Sequence, residues 1–158
     1  MTRWLNEDEQ QAWRAYLGAT RLVFDQLDRE LQRDAGMPHA YYEILVRLSE
    51  APDRALRMSA LADRSQSSRS RLSHAVSRLE ENDWVRRESC PDDKRGQIAR
   101  LTDAGFEALA AAAPGHVEGV RSHVFDPLTP EQVRQLHTIN QTLLDALAQP
   151  ADTTAVPG

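Results

Sequence analysis

The stretch from residue 78 to residue 105, RLEENDWVRRESCPDDKRGQIARLTDAG, constrains the fold of this chain more than any other part of it. It predicts the end of one helix, two short strands and the start of another helix. The strands are predicted at residues 84–88 and 97–101, where β-branched and aromatic residues occur and where apolar and polar residues alternate. The turn between them has the residue types that turns favour, namely Pro91, Asp92, Asp93 and Gly96. We therefore predict a charged β-hairpin whose tip carries two cations, Lys94 and Arg95.

A polar helix is predicted immediately before this hairpin. Ser67 or Ser68 can cap it, and it runs to about residue 81. One face carries an apolar stripe at helical spacing, formed by Leu72, Ala75, Val76 and Leu79. The opposite face is polar and basic, with Arg69, Ser70, Ser73, His74, Ser77 and Arg78. A helix of this kind beside a hairpin with a cationic tip is the outline of a winged helix-turn-helix, so the predicted fold class is mainly α with a small β-wing (α+β).

Three helices and a short extended piece are predicted on the N-terminal side of the polar helix. The first helix covers residues 7–35, carries a broad apolar face and ends at Gly36. The second covers about residues 38–50. A short extended piece follows at residues 56–58, and Ser59 is predicted to cap a third helix.

The C-terminal third is predicted to hold two further helices. Thr102 caps a helix rich in alanine, and Pro114 is predicted to interrupt it because proline lacks a backbone donor and clashes with the preceding turn. The helix then resumes and runs to about residue 125. The sequence from Thr129 to Gln132 is a capping box with proline at the first helical position, which predicts the start of the last helix. Residues 149–158 are predicted to be a flexible tail.

The charge of the chain is unevenly distributed. The formal net charge is −5, which by itself argues against a nucleic-acid partner. Between residues 54 and 100, however, eleven cations stand against seven carboxylates, so this part carries +4 and the remainder −9. Phosphate binding depends on the local field rather than on the total charge. A DNA-binding middle third therefore remains compatible with an acidic chain.

Composition excludes several classes of protein. No apolar run approaches the length of a transmembrane helix and no secretory leader is visible, so we expect a cytoplasmic protein with no membrane partner. The single cysteine, Cys90, excludes an internal disulfide framework. The five histidines are scattered, and neither a phosphate loop nor a nucleophile elbow is present. We therefore expect no enzymatic activity, no cofactor and no metal site.

The order of the predicted elements, with their local motifs, resembles the MarR family of bacterial transcription regulators. The resemblance covers residues from about 10 to 148 and rests on five motifs in order: Met58–Asp63 (MSALAD), Ser77–Glu81 (SRLEE), Trp84–Arg87 (WVRR), Asp93–Arg95 (DKR) and Leu101–Gly105 (LTDAG). The chain departs from the family pattern in three places. Ser65 and Ser67 replace apolar residues, residues 82–83 replace a turn glycine with asparagine and aspartate, and Pro114 lies in a long helix.

The resemblance implies a single domain, residues 1–158, with a winged helix-turn-helix lobe at 38–102. Helices at 7–35 and 103–148 would form a dimerisation region. The fourth helix would enter the major groove of double-stranded DNA, and Arg95 at the wing tip would enter the minor groove, oriented by Asp93. The predicted DNA-binding residues are Ser67, Ser68, Arg69, Ser70, Arg71, Ser73, His74, Arg78, Lys94 and Arg95.

The resemblance further implies a homodimer that reads a palindromic operator, acting as a repressor and responding to a small-molecule effector or another signal. Candidate effector-binding residues are Trp13, Tyr16, His39 and Tyr42. Two alternatives remain. Cys90, placed near arginines, could make the protein an oxidant-sensing regulator. The winged helix could also serve as a protein-interaction module that does not bind DNA.

Overall fold

A computed structural model describes residues 1–93 and 95–148 of the chain. It is mainly helical and contains one three-stranded antiparallel sheet, which confirms the predicted fold class. The elements, in chain order, are α1 (Glu7–Ala35), α2 (His39–Ser49), a 3₁₀ turn (Pro52–Arg54), β1 (Ala55–Arg57), α3 (Met58–Arg64), α4 (Arg69–Glu81), β2 (Val85–Ser89), β3 (Gln97–Leu101), α5 (Asp103–Val120), a π-helical turn (Arg121–Phe125) and α6 (Pro130–Ala148). Lys94 and the predicted tail at 149–158 lie outside the described residues.

The chain forms two compact units, Met1–Gly119 and Val120–Gly158. The core of the first unit lies between α2, α3, α4 and the sheet. Leu45, Leu48, Leu61, Val76 and Leu79 are fully buried there. Burial of each of these side chains stabilises the fold by about 1.5–3 kcal/mol. Buried residues of these three helices and of both hairpin strands belong to one hydrophobic core. This shared core holds the hairpin against α4.

The sheet has the strand order β1-β3-β2, so the second strand of the hairpin lies in the middle. Ala99 pairs with Leu56 on one side and with Arg87 on the other, and it is fully buried. The predicted hairpin is confirmed, with strands at 85–89 and 97–101. The short extended piece that was predicted after α2 is strand β1. The sequence analysis did not predict that this strand pairs with β3 of the hairpin.

The predicted end of α1 and the predicted cap of α4 are confirmed. Gly36 ends α1 at φ 65°, a conformation that glycine adopts without strain. The same helix begins with a capping box of Asn6 and Glu9, which was not predicted. Ser68 caps α4 by accepting a hydrogen bond from the backbone N–H of Arg71 at 3.3 Å. These local signals therefore set the helix boundaries correctly.

One local prediction about a helix end was wrong. Helix α3 begins at Met58, directly after β1, so Ser59 lies within its first turn and does not cap it. The turn after α4 uses Asp83, at φ 59°, in the left-handed conformation, whereas Asn82 keeps φ −90°. Asparagine and aspartate both tolerate this conformation, so residue type alone did not decide between them.

The predicted interruption at Pro114 was also wrong, because α5 continues through this residue to Val120. A proline inside a helix removes one backbone hydrogen bond and costs about 3 kcal/mol. Residues that follow it are nevertheless held in contact with α1 and α2. The His116 ring lies 4.3 Å from the Tyr42 ring, and a Cβ on Gly119 would lie 3.0 Å from Leu27 Cδ2. This packing offsets the local cost.

The second unit contains the π-helical turn and α6. Thr129 and Gln132 form the predicted capping box, with the Gln132 N–H donating to Thr129 Oγ1 at 3.2 Å and the Thr129 N–H to Gln132 Oε1 at 2.9 Å. Several large apolar side chains of α6 are exposed in the single chain, namely Leu136, Ile139, Leu143, Leu144 and Leu147. No helix among residues 1–93 and 95–148 is long and apolar enough to cross a membrane.

Candidate nucleic-acid interface

The N-terminal turn of α4 presents cations to solvent. The Ser68 cap fixes the start of the helix, so that Arg69, Ser70 and Arg71 follow with exposed side chains. Free backbone N–H groups at a helix N-terminus favour anions, and two arginines add full positive charge. This turn can therefore receive a phosphate backbone or the edges of bases.

The polar side of α4 consists of two strips with different surroundings. Ser70, His74 and Arg78 recur at intervals of four, and their side chains are exposed. Ser73 and Ser77 are only half-exposed, and both bond to Arg87 of β2. The structure therefore separates Ser73 from the other predicted DNA-binding residues of the helix, because its strip faces the hairpin. Arg78 in turn pairs with Glu81 at 2.9 Å, which raises the pKa of its guanidinium.

The hairpin tip is organised by Asp93. Its Oδ1 accepts a hydrogen bond from the backbone N–H of Arg95 at 3.0 Å, and its carbonyl accepts from the Gly96 N–H at 2.9 Å. Asp93 thus acts on the backbone of the tip and orients Arg95 through it. The Arg95 side chain is exposed. A Cβ at Gly96 would lie 3.1 Å from Asp93 Oδ2 and 3.2 Å from Cys90 Sγ, so a larger residue here would require these side chains to shift by a few tenths of an ångström.

An open groove of about 420 Å³ lies between α4 and the hairpin. Its walls come from β1, α3, α4 and the hairpin: Arg57, Met58, Ser59, Arg69, Leu72, Ser73, Ser89, Asp93, Arg95, Gly96 and Gln97. Arg57 and Ser59 were not predicted as site residues. Their position beside the polar helix depends on the pairing of β1 with β3, which local sequence patterns did not reveal.

Ion pairs divide the arginines of this region into two groups. Arg86 and Arg100 both donate to Glu88 Oε1 at 2.9 Å, and the bond from Arg100, followed by that from Arg86, holds the pKa of the Glu88 carboxyl below its ordinary value. Of the ten arginines between residues 54 and 100, five form no ion pair among the described residues: Arg57, Arg64, Arg69, Arg71 and Arg95. Four of these five lie at the start of α4, along the groove or at the hairpin tip, whereas Arg64 ends α3. In this part of the chain, most of the unpaired arginines therefore border the groove or the start of α4.

The four candidate effector-binding residues fall into two separate aromatic groups. Trp13 and Tyr16 stack on each other on α1 with ring centroids 6.0 Å apart, and both are about half exposed. His39 and Tyr42 lie instead beside His116 of α5, with ring centroids 5.4 and 4.3 Å from it. The four predicted residues therefore belong to two separate groups. The sequence did not indicate that His116, 74 or more positions away along the chain, lies beside His39 and Tyr42.

The group formed by His39, Tyr42 and His116 borders a cavity of about 220 Å³. Burial lowers the pKa of His116, and the neighbouring His39 lowers it further, whereas Glu43 and Glu30 oppose this shift. Burial also raises the pKa of the Tyr42 hydroxyl. This environment favours an uncharged imidazole at His116.

Cys90 is buried beneath the hairpin turn, with 4% of its surface exposed. Its backbone N–H donates to the Gly96 carbonyl at 3.0 Å, which closes the hairpin. The two arginines expected near it bond elsewhere, Arg86 to Glu88 and Arg87 to α4. An oxidant would reach the thiol only after the turn opens.

Comparisons with known proteins agree with this geometry. The model of the MarR family matches residues 35–96. Sco3205, a MarR family transcriptional regulator from Streptomyces coelicolor solved in complex with DNA, is 57% identical, with 98% of this chain and 97% of that chain covered and a TM-score of 0.91. AbsC, a MarR family transcriptional regulator from the same organism, is 44% identical over 92% of this chain and 98% of its own, with a TM-score of 0.87. A search of curated proteins gave no match.

A more distant structure shows the same fold. A mutant of MarR from E. coli, solved with operator DNA, is 19% identical over 90% of this chain and 99% of that chain, with a TM-score of 0.78. The identities and coverage of the two Streptomyces structures establish the relationship. The chain belongs to the MarR family of transcriptional regulators.

Proposed function

We propose that this protein is a dimeric transcription regulator that binds double-stranded DNA in a sequence-specific manner and acts as a repressor. Helix α4, called the recognition helix below, enters the major groove, and Arg95 at the hairpin tip enters the adjacent minor groove. This role is that of a regulator and not of an enzyme. The relative that is 57% identical over nearly the whole chain was solved in complex with DNA, which supports the proposal.

The observation that carries the proposal is the position of the unpaired arginines. The chain has a net charge of −5, yet only five of its ten arginines between residues 54 and 100 pair with a carboxylate among the described residues. Four of the five unpaired ones, Arg57, Arg69, Arg71 and Arg95, border one groove or the start of α4. Each phosphate contact by such a cation releases counterions and contributes to affinity. A surface that served only structural purposes would not need unneutralised charge on both sides of one groove.

The roles of individual residues follow from their exposure. Ser70, Arg71, His74 and Arg78 face solvent on α4 and are the proposed readers of base edges and phosphates, with Arg69 at the start of the helix. Ser67 and Ser68 precede the helix and contribute hydroxyl groups, and Lys94 would add a phosphate contact. Ser73 has a smaller role than the sequence suggested, since it bonds to Arg87.

Dimerisation is proposed through the helices outside the winged lobe, at 7–35 and 103–148. In the single chain, α1 exposes Trp13, Leu17 and Leu22, and α6 exposes Ile139 and Leu147. Exposed apolar surface of this extent is typical of a protein interface. A two-fold dimer would present two winged lobes to a palindrome whose half-sites lie about one helical turn apart.

An effector site is proposed at the cavity beside His39, Tyr42 and His116. The cavity combines aromatic rings with charged rims from Glu43 and Arg47, a combination that can hold a small polar aromatic molecule. The stacked pair of Trp13 and Tyr16 remains a second candidate. An effector that prefers a dimer geometry unsuited to DNA would release the operator by shifting the population.

The test is a titration of a labelled duplex from the region upstream of the gene with the purified protein, at several salt concentrations. We expect saturable binding that weakens steeply as salt rises, because several phosphates are neutralised. Arg95→Ala should weaken binding by about fivefold or more, as expected for one inserted cation. If the protein is dimeric but binds neither this region nor any other genomic duplex, the winged lobe is a protein-interaction module and the proposal fails.

A further inference from the structure

Arg87 of β2 lies against three residues of α4 that share one face of the helix. Ser73, Ser77 and Glu80 are spaced by four and three residues, so their side chains point the same way. Arg87 Nη2 donates to the Ser73 carbonyl at 2.9 Å and to Ser77 Oγ, and Nη1 lies 3.5 Å from Ser73 Oγ. One side chain of the hairpin therefore spans two turns of the recognition helix.

Glu80 completes the contact from the helix side. Its Oε1 accepts a hydrogen bond from the backbone N–H of Arg87 at 2.8 Å, and its Oε2 lies 3.1 Å from Arg87 Nε. Only 20% of the Arg87 side chain and 34% of the Glu80 side chain is exposed, so solvent screens this pair less than the pairs on the surface. Both the backbone and the side chain of Arg87 are therefore bonded to α4.

The direction of these bonds excludes Arg87 from direct contact with DNA in this geometry. All three guanidinium nitrogens face α4. The neighbouring Arg86 differs, since 64% of its side chain is exposed and its partner is Glu88 within the same strand. Two adjacent arginines of one strand thus have different surroundings, and only one of them reaches the helix.

We propose that Arg87 is a positioning residue for DNA binding, which locks the hairpin to the recognition helix so that α4 and Arg95 reach adjacent grooves together. The inference rests on the proposed function, because it concerns how that surface is held. The hairpin carries Arg95 at its tip, whereas Ser73 and Ser77 lie on the helix that would read the major groove. A hairpin that could move relative to α4 would not hold Arg95 and α4 in both grooves at once. Binding would then have to order the hairpin, and the loss of conformational entropy would lower the affinity.

The test is a double-mutant cycle measured as DNA affinity. Arg87→Gln, Arg95→Ala and the double variant are compared with the natural chain on the same duplex, and Arg86→Gln, alone and with Arg95→Ala, is the matched control with the same change of charge. We expect Arg87→Gln to weaken binding about tenfold and Arg86→Gln less than threefold. We also expect Arg95→Ala to cost at least threefold less in the Arg87→Gln background than in the natural chain, because a hairpin that is not positioned cannot use its tip.

Two further variants separate positioning from folding. Ser77→Ala removes one acceptor and keeps the charges, and Arg87→Lys keeps the charge but has one nitrogen in place of three, so both should fall between the natural chain and Arg87→Gln in affinity. Each variant is first checked by thermal unfolding, and affinities are compared at a temperature where all are folded. If Arg87→Gln does not fold, the cycle is run with Ser77→Ala in its place.

Three results would overturn the inference. The first is that the effects of Arg87→Gln and Arg95→Ala on affinity are independent. The second is that folded Arg87→Gln binds DNA as tightly as the natural chain. The third is that the salt dependence of DNA binding by Arg87→Gln is smaller by the equivalent of one phosphate contact, which would make Arg87 a direct contact. Absence of specific binding by the natural chain is a different result, since it would remove the proposed function itself.

Discussion

Gly105 lies where α5 meets the base of the hairpin, and its replacement by alanine should destabilise the protein. A Cβ at this position would lie 2.1 Å from the Trp84 carbonyl oxygen and 2.8 Å from Leu101 Cδ1. The carbonyl belongs to the backbone and accepts a hydrogen bond from the Thr102 N–H at 3.0 Å, so it cannot move aside without loss of that bond. Relief of the clash requires the helix and the hairpin base to separate by about 1 Å.

The expected magnitude combines two opposing effects. Overpacking against a fixed group costs about 3 kcal/mol, the upper part of the usual range, because the nearest atom is backbone. Alanine is favoured over glycine within a helix by about 1 kcal/mol, which offsets part of that cost. Gly105→Ala should therefore lower the free energy of unfolding by about 2 kcal/mol, equivalent to a fall of about 4–8 °C in Tm for a chain of this size.

Gly115→Ala is the matched control, since it makes the same substitution in the same helix where no atom lies within 4 Å of the added Cβ. It should raise the stability by about 0.5–1 kcal/mol. Both variants can be compared by urea unfolding followed by circular dichroism. If Gly105→Ala were as stable as the natural chain while Gly115→Ala behaved as expected, the close contact between α5 and Trp84 would be incorrect.

Three further predictions concern the cap of the recognition helix, Pro114 and His116. Ser68→Ala removes the bond to the Arg71 N–H and should lower the free energy of unfolding by about 1 kcal/mol in urea unfolding, whereas no loss would contradict the cap. Pro114→Ala restores a backbone donor inside a continuous helix and should raise Tm; a fall would indicate that the helix is not continuous. Burial lowers the pKa of His116 in the folded protein, so the unfolded chain binds more protons and the stability should fall as the pH drops below about 6.5. His116→Phe should make Tm less dependent on pH in this range. A pH profile of Tm that this substitution leaves unchanged would contradict the prediction.

The sequence predicted the elements whose signals are local. The capping box at Thr129, the cap at Ser68 and the turn residues of the hairpin each depend on neighbours within a few positions, and the structure has these elements where they were expected. The continuity of α5 through Pro114 was missed for the opposite reason. It depends on contacts of His116 and Gly119 with distant helices, which compensate a local cost.

The candidate site was predicted in outline but not in its internal arrangement. Helical spacing placed Ser73 and Ser77 on the polar side of α4, but it could not tell that this strip faces Arg87, because the partner lies across a turn on another element. The same limit applies to Arg57, which reaches the groove through the pairing of β1 with β3. Pairings between elements depend on the whole packed core, so they cannot be inferred from the local patterns of a single sequence.

The measurement that tests the central claim most directly is a selection of DNA duplexes from a randomised pool with the purified protein, followed by sequencing of the bound fraction. The account predicts enrichment of one inverted repeat whose half-site centres lie about one helical turn apart, since two winged lobes related by a two-fold axis read equivalent sequences. Arg71→Ala should weaken the preference within each half-site, because this exposed residue lies in the first turn of α4. A bound fraction with the same sequence composition as the starting pool would contradict sequence-specific recognition by this surface.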